Sequence, residues 1–139
     1  MCKGKIFTLS GIALAFGMVG TVEAASQLAS GPVFGGNSEG QVACLVVNTG
    51  SVPVHFNSTQ LVGQFKGSLD QNFNDCTSRQ SLVPGAMCSF QADVNAQGTG
   101  PHQAVSCKVV ITEAKTNVRG TMVALDPLLG RPLSQTDLR

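Results

Sequence analysis

Residues 83–94 of this chain have the sequence Val83-Pro84-Gly85-Ala86-Met87-Cys88-Ser89-Phe90-Gln91-Ala92-Asp93-Val94. The first four residues fit a type II turn, because proline fixes φ at the second position and glycine supplies a positive φ at the third. From Cys88 onward, apolar and polar side chains alternate, which is the period of a β-strand with one buried face. The segment therefore predicts a tight turn that leads into a half-buried strand.

The same period of two recurs on both sides of this segment, separated by turns rich in Gly, Pro, Asn and Ser. The stretch from Gln41 to Val47 is apolar on both faces and is therefore expected in the middle of a sheet. The predicted strands cover residues 41–47, 52–57, 60–66, 79–83, 88–95, 105–112 and 118–126. About seven strands in one short domain favour an all-β fold, an immunoglobulin-like antiparallel β-sandwich.

The predicted sandwich domain covers residues 41–126. Residues 25–40 are rich in Gly and Ser around Pro32, and they are expected to form an N-terminal arm or an edge strand. Pro127 lacks the N–H that a β-ladder needs. Residues 127–139 are therefore expected to be a frayed C-terminal tail.

Residues 1–24 have the order of a secretory signal peptide: a positive start, an apolar middle and small residues before a cleavage point. Two lysines supply the charge, and no charged residue occurs from Ile6 to Val22. This run is predicted to form a signal peptide helix that is cleaved after Ala24, with Ala25 as the alternative. A retained anchor competes with this interpretation, but glycines interrupt a run shorter than the roughly 20 residues of a membrane span. The signal predicts a periplasmic or secreted product with no membrane span after cleavage.

The chain has five cysteines, and cleavage would remove Cys2 and leave an even number. An even set can pair completely in an oxidising compartment. Four cysteines allow three pairings, and their positions favour one of these. Cys76 and Cys88 flank the Pro-Gly turn, whereas Cys44 and Cys107 each lie in the inward row of a strong strand. We therefore predict the disulfides Cys44–Cys107 and Cys76–Cys88.

Two other uses of the cysteines have less support. A zinc site or a redox-active pair usually contains C-x-x-C, and no two cysteines here have that spacing. Only His55 and His102 could add ligands. No metal or other cofactor is therefore expected.

Composition limits the kinds of partner that the exported product could bind. Removing residues 1–24 takes away two lysines and Glu23, which leaves seven basic and seven acidic residues. A net charge of zero argues against nucleic acid, which binds to a basic surface. Trp and Tyr are absent, so aromatic platforms for sugars or bases are poorly supplied.

Two further segments have a recognisable pattern. Val47-Asn48-Thr49-Gly50-Ser51-Val52-Pro53-Val54 contains N-x-G-x-x-P-V, and Leu82-Val83-Pro84-Gly85-Ala86-Met87-Cys88-Ser89-Phe90, preceded by Cys76, contains L-x-P-G-x-x-C. Over about residues 41–112 this pattern resembles the Hydin-type immunoglobulin-like repeats of bacterial exported proteins. The chain is also similar to small, single-domain exported bacterial proteins. It departs from the repeats after Val118, where a Pro-containing tail follows instead of another unit. The resemblance implies a non-catalytic binding or structural role and carries over no active-site residue.

No catalytic, cofactor-binding or metal-binding residue is predicted. Gly36-Asn37-Ser38-Glu39-Gly40 matches G-x-S-x-G, but that motif functions where a strand leads into a helix, and here a strand follows it. His55 is expected on an outward strand face and His102 in a loop, and the sequence places no serine or carboxylate beside either. The aspartates are dispersed and define no calcium loop.

These observations favour a non-enzymatic β-sandwich module with a binding or structural role in the cell envelope. Its expected partner is a protein or an envelope surface, bound through loops or a sheet edge, and its expected state is a monomer or a weak oligomer. The alternative is a fibre- or pilus-type subunit assembled through strand exchange, although residues 26–40 hold few apolar residues for a donor strand. A small hydrolase or hydrolase inhibitor is the third hypothesis and would need polar groups that converge in a pocket.

Overall fold

The computed structural model describes residues 25–36, 40–94, 102–126, 128–129 and 131–139. The predicted signal peptide, residues 1–24, lies outside these ranges. Within them, the chain forms two antiparallel five-stranded sheets, which confirms the predicted all-β sandwich. None of the described segments forms a helix of the length and hydrophobicity that spanning a bilayer requires.

The described residues form ten strands. They are β1 (Ser26–Ala29), β2 (Val33–Gly36), β3 (Gln41–Asn48), β4 (Phe56–Gly63), β5 (Gly67–Ser68), β6 (Phe73–Asn74), β7 (Met87–Asp93), β8 (His102–Ile111), β9 (Val118–Leu125) and β10 (Pro132–Asp137), with a 3-10 turn at Lys115–Asn117. Sheet 1 has the order β1-β8-β4-β5, with β2 also paired to β8. Sheet 2 has the order β10-β9-β3-β7-β6.

The core lies between the two sheets and is built by the alternation that the sequence displays. Phe90 and Leu61 are the largest of its fully buried side chains, and each alternates along its strand with residues that face outward. Cys44 on β3 is bonded to Cys107 on β8, with 6.1 Å between their Cα atoms. This bond therefore joins the two sheets through the core, as the disulfide between the B and F strands of immunoglobulin domains does.

The predicted type II turn is present at the start of β7. The φ of Gly85 is 76°, and the Ala86 N–H donates to the carbonyl of Val83 at 3.0 Å. The second disulfide joins Cys76 to Cys88 around this turn, with 5.0 Å between the Cα atoms. Both disulfides of the structure are thus the pairs that the sequence predicts.

Several predicted strand bounds are wrong. The end of the strand predicted at residues 52–57 belongs to β4, whereas residues 52–55 and 79–83 are not strands but meet at one isolated bridge between Val54 and Leu82. Their N–H groups donate to each other's carbonyls at 3.0 and 2.8 Å, and Pro53 has no N–H with which to extend the ladder. The strand predicted at residues 60–66 is β4, which ends at Gly63 before a turn.

The predicted frayed tail is wrong as well, because Pro132–Asp137 forms β10 and pairs antiparallel with β9. The side chains of this strand are mostly polar and exposed, so the apolar alternation that marks a strand is missing from the sequence. Residues 25–40, predicted as an arm or edge strand, contain β1 and β2, both of which pair with β8. The sandwich therefore extends beyond residues 41–126 in both directions.

The first and last strands close one side of the sandwich. The N–H groups of Ala29 and Arg139 each donate to the other residue's carbonyl at 3.1 Å. The hydroxyl of Ser30 accepts a bond from the N–H of Cys107 at 2.9 Å, and Ser30 also forms a bridge with Leu138. Since β1 belongs to sheet 1 and the end of the chain follows β10 of sheet 2, these bonds join the edges of the two sheets.

The edge strands are exchanged relative to the immunoglobulin order, in which the first strand lies beside the second and the last beside the sixth. Here β1 and β2 pair with β8, and β9 pairs with β3. The exchange places β3 in the centre of sheet 2, as its two apolar faces predict.

Candidate functional site

The side of sheet 2 that points away from the core carries apolar residues. On β3, Val42, Cys44 and Val46 point into the core cluster. Their neighbours Ala43, Leu45 and Val47 point the opposite way because successive side chains of a strand alternate. An antiparallel sheet with one wet side usually carries polar residues there, so these three are unusual for a sandwich.

The register of the sheet extends this apolar surface to the neighbouring strands. Ala43 lies opposite Val123 and Leu45 opposite Thr121 on β9, while Val47 lies opposite Met87 on β7. Val123 is buried, yet it belongs to no part of the inter-sheet core. We call this surface the outer face, and it comprises Ala43, Leu45, Val47, Met87, Val123 and Leu125.

Polar side chains border the outer face on both sides. Gln91 and Asp93 flank it on β7, where they pair with Ala43 and Gln41. On β10, Gln135 pairs with Val123 and Asp137 pairs with Thr121. An apolar centre with a polar margin is the arrangement found in protein interfaces.

A groove of about 510 Å³ lies at one end of the outer face. Leu45, Val47 and Met87 line its apolar part, and Arg119, Asp137 and Arg139 line its polar part. The hydroxyl of Thr121 donates to the Asp137 carboxylate at 3.2 Å. The groove thus offers a solvent-exposed apolar surface beside charged groups of both signs.

The two ends of β9 carry opposite charges. At the groove end, the guanidinium of exposed Arg119 donates to the carbonyls of Thr116 and Val118 at 3.2 and 2.9 Å. These bonds hold the side chain beside the groove without neutralising it. At the other end, the Asp126 carboxylate accepts bonds from the N–H groups of Leu128 and Leu129 at 2.8 and 3.1 Å.

His55 has a carboxylate partner that its sequence neighbourhood does not indicate. Its backbone N–H donates to Glu113 Oε2 at 2.8 Å, and its Nδ1 lies 2.6 Å from Glu113 Oε1. Burial acts to raise the pKa of Glu113, but the hydrogen bonds from the His55 side chain and backbone outweigh it and lower this pKa. The expectation that His55 has no carboxylate beside it is therefore wrong, although the ring remains about half exposed.

The other sequence candidates bring together no reactive group among the described residues. His102 is the first residue of β8 rather than part of a loop. In the G-x-S-x-G match, residues 37–39 lie outside the described ranges. The Asp75 carboxylate lies near the sulfurs of Cys76 and Cys88, but both sulfurs are in a disulfide and Asp75 is occupied by Arg79 and the N–H of Ser89.

Comparison of the chain with protein-family models, with curated proteins and with solved structures returns no significant match. The function of the chain is therefore inferred from its own sequence and geometry. The two apolar faces of β3 predict its place in mid-sheet, and the same signal indicates the outer face. No comparable signal connects His55 with Glu113, which lies 58 residues away.

Proposed function

We propose that this chain is a non-enzymatic extracytoplasmic β-sandwich module, periplasmic or secreted, that acts in the cell envelope through binding. The outer face of sheet 2 carries this proposal. Its apolar centre and polar margin have the anatomy of an interface. Met87 is exposed at one end of this face and Leu45, Val47 and Leu125 are partly exposed, whereas Ala43 and Val123 are buried. The face belongs to the central strand of a sheet, so it is a rigid surface rather than a mobile loop.

The two disulfides support the location. Both are intramolecular and join buried cysteines. Disulfides of this kind are typical of extracytoplasmic proteins, because cytosolic thiols are kept reduced. A signal peptide at residues 1–24 is part of this proposal.

The resemblance to Hydin-type immunoglobulin-like repeats also supports a binding module. Asn48 of the first motif and Leu82 and Gly85 of the second are directly hydrogen-bonded: the Asn48 side chain donates to the Leu82 carbonyl at 2.8 Å, and the Gly85 N–H donates to the Asn48 carbonyl at 2.8 Å. The two motifs are therefore parts of one structural unit, which is a reason for them to occur together. We place the fibre-type subunit second, because β9 and β10 fill the sheet edge that an incoming donor strand would need.

Location can be tested by fractionation and mass spectrometry of the protein expressed from its full-length gene. We expect an extracytoplasmic product that begins at Ala25 or Ser26, and that takes up no alkylating reagent under denaturing, non-reducing conditions. Recovery of a cytosolic chain with free Cys44, Cys76, Cys88 and Cys107 would contradict the proposed location.

Binding can be tested with a photo-crosslinking amino acid placed at position 45 of the outer face. The matched control carries it at Ser106, which lies on β8 and points away from the core of sheet 1. In intact envelopes we expect covalent protein adducts from position 45 and none from position 106. Equal labelling at both positions, or turnover of a substrate by the purified protein, would refute the proposed function.

A further inference from the structure

The outer edge of β10 carries backbone groups that no described residue binds. The Leu138 N–H donates to a carbonyl of β9 at 2.9 Å, whereas the Arg139 N–H donates to the Ala29 carbonyl on the opposite side of the strand. Successive residues of an antiparallel strand direct their N–H and C=O groups to alternate sides, so Asp137 and Gln135 share the direction of Arg139. Their four backbone groups form a row, which we call the open row, that faces away from β9.

The chain itself pairs with this edge at one end. Ala29 and Arg139 exchange both of their backbone bonds at 3.1 Å. Two residues further along, the register would bring Gly31 opposite Asp137, but no backbone bond joins these two residues. An added Cβ at Gly31 would lie 3.0 Å from Thr136 Oγ1, so the chain here passes beside a side chain of β10 instead of bonding to its backbone. The edge is therefore competent to pair, and its own chain leaves it where the open row begins.

A depression of about 490 Å³ lies beside the open row. Ser30 and Gly31 line one side of it, and Gln135, Thr136 and Asp137 line the other. Most of these residues are polar, and the side chains of β10 are mostly exposed. The space next to the open row is thus available to an extended chain.

The opposite edges of the two sheets are built differently. They are formed by β5 and β6, which have two residues each, and short edge strands are one way in which proteins avoid pairing with another chain. The strand β10 has six residues. Its proline, Pro132, and the register shift that follows it both precede the open row, so neither protects Gln135 or Asp137.

We propose that an extended, polar segment of another polypeptide adds to sheet 2 at the open row, antiparallel to β10. The bridge of Ser30 with Leu138 has this direction, and exposed sheet edges bind extended peptides through such backbone bonds. The inference goes beyond the proposed function, because it concerns an edge and not the outer face. The added strand extends sheet 2 past β10, whereas the donor strand of a fibre-type subunit would replace a strand that this sandwich already has.

A second copy of β10 fits the open row less well than a free segment does. A twofold axis through Gln135 would place Pro132 of the second copy opposite Leu138. Ser30 of the first copy already occupies that position. A free segment can end before it, so the geometry favours a different polypeptide.

The register predicts the side chains of the added segment. A residue opposite Asp137 lies on the same side of the sheet, where a cation forms a favourable cross-strand pair. A residue opposite Thr136 points to the depression beside Ser30, which suits a small hydroxyl side chain. The probe is therefore the capped peptide Ac-Lys-Thr-Thr-Thr-NH₂, with its lysine opposite Asp137. Four backbone bonds predict a dissociation constant on the order of 1 mM.

Titration of the isotope-labelled, oxidised protein with this peptide, followed by NMR, tests the proposal. We expect the amide signals of Gln135 and Asp137 to move and their hydrogen exchange to slow, while the amide of Leu138, already bonded to β9, changes little. Two N-methylated isomers of the peptide provide a matched pair. Methyl groups on the lysine and the second threonine block the N–H groups that face β10 and should weaken binding by about tenfold or more, whereas methyl groups on the other two residues should not.

Variants of the protein separate its backbone from its side chains. Gln135→Pro removes the outward N–H and no bond to β9, which an edge strand tolerates, and it should weaken binding of the peptide by about tenfold or more. Gln135→Ala keeps the N–H and should bind the peptide within about twofold of the parent. If Gln135→Pro does not fold, the two isomers make the same comparison on the parent protein.

Three results would overturn the inference: no change in the amides of Gln135 and Asp137 at about 10 mM peptide, equal affinity for the two isomers, or equal loss in Gln135→Pro and Gln135→Ala. A dimer in sedimentation that Gln135→Pro abolishes would identify a second copy as the occupant and would overturn it as well. Each of these results leaves the proposed function standing, since crosslinking from position 45 tests a different surface.

Discussion

The side chain of Asn48 joins the turn after β3 to the segment before β7. It is fully buried, and its amide donates to the carbonyls of Val52 and Leu82 at 2.7 and 2.8 Å. Its side-chain oxygen accepts the N–H of Gly50 at 2.9 Å. One residue thus satisfies the backbone of the turn after β3 and of the segment before β7.

We expect Asn48→Ala to reduce the free energy of unfolding by about 2–4 kcal/mol, because carbonyls that lose their donor would be left unsatisfied in a buried site. Urea denaturation measures the loss. Asn57→Ala is the matched control, since Asn57 is exposed, and it should change stability by less than about 0.5 kcal/mol. Equal effects of the two substitutions would show that Asn48 is dispensable.

The pair of His55 and Glu113 gives a pH dependence. The pKa of Glu113 is lowered from its ordinary value of 4.5 in the folded protein, so its ionised form stabilises the fold above that pH. This stability is lost as the pH falls below 4.5 and passes through the lowered pKa. We expect Glu113→Gln to be less stable than the parent at neutral pH, with a difference that shrinks in this acidic range.

Thermal unfolding of both proteins at several pH values measures this difference. Asp70→Asn is a suitable control, because it neutralises a carboxylate in an exposed pair with Lys66. A stability difference for Glu113→Gln that stays constant down to strongly acidic pH would contradict the assignment.

Among the strands, β10 is one that the alternation of apolar and polar residues does not predict. The strands β3, β7, β8 and β9 line the core and were predicted from alternation to within a few residues. β10 lies at an edge, and it is held by backbone bonds to β9 and by one apolar anchor, Leu138, which is buried beyond the end of the strand. Edge strands of this kind, like the two-residue β5 and β6, leave little trace in side-chain patterns.

Leu138 fits into the core beside Gly120, where an added Cβ would lie 2.6 Å from the carbonyl of Leu45 and 3.1 Å from a Leu138 methyl group. We expect Leu138→Ala to cost about 2–4 kcal/mol in unfolding free energy, as for other buried leucines. Leu133→Ala on β10 is the matched control, because that side chain is about half exposed and should cost much less. If the end of the chain were frayed, the two variants would have equal stability.

For the whole molecule, one disulfide closes a long loop between the two sheets and the other closes a short local loop. Cys44–Cys107 closes a separation of 63 residues and Cys76–Cys88 one of 12. The chain-entropy relation gives about 4 kcal/mol for the longer loop and about 3 kcal/mol for the shorter. We expect Cys44→Ala/Cys107→Ala to be the less stable of the two double variants.

Guanidinium denaturation of the two double variants, each with the other disulfide intact, measures this order. Reduction of the parent protein should bring its stability below that of either variant, since both links are then lost. A larger loss for Cys76→Ala/Cys88→Ala would mean that the bond between the sheets contributes less than its loop length implies.

The fold class and the disulfide pairing were predictable because alternation and spacing report directly on which strands face the core. The contact of His55 with Glu113 and the position of the last strand were not, because both depend on which sheet edges meet in three dimensions. The outer face lies between these cases. Its residues were visible in β3, but the order of strands that joins them to Met87 and Val123 was not.

The pairing of Ala29 with Arg139 determines how the domain would respond to a mechanical load. Tension applied at residues 25 and 139 would pull two antiparallel strands apart from one end, so their bonds would break one after another rather than together. Unravelling would then stop at the disulfide between Cys44 and Cys107. Residues 45–106 lie in the loop that this bond closes, so the applied force cannot extend them. Only residues 25–43 and 108–139 would lengthen, by a contour on the order of 17 nm, and the centre of the sandwich would carry no tension.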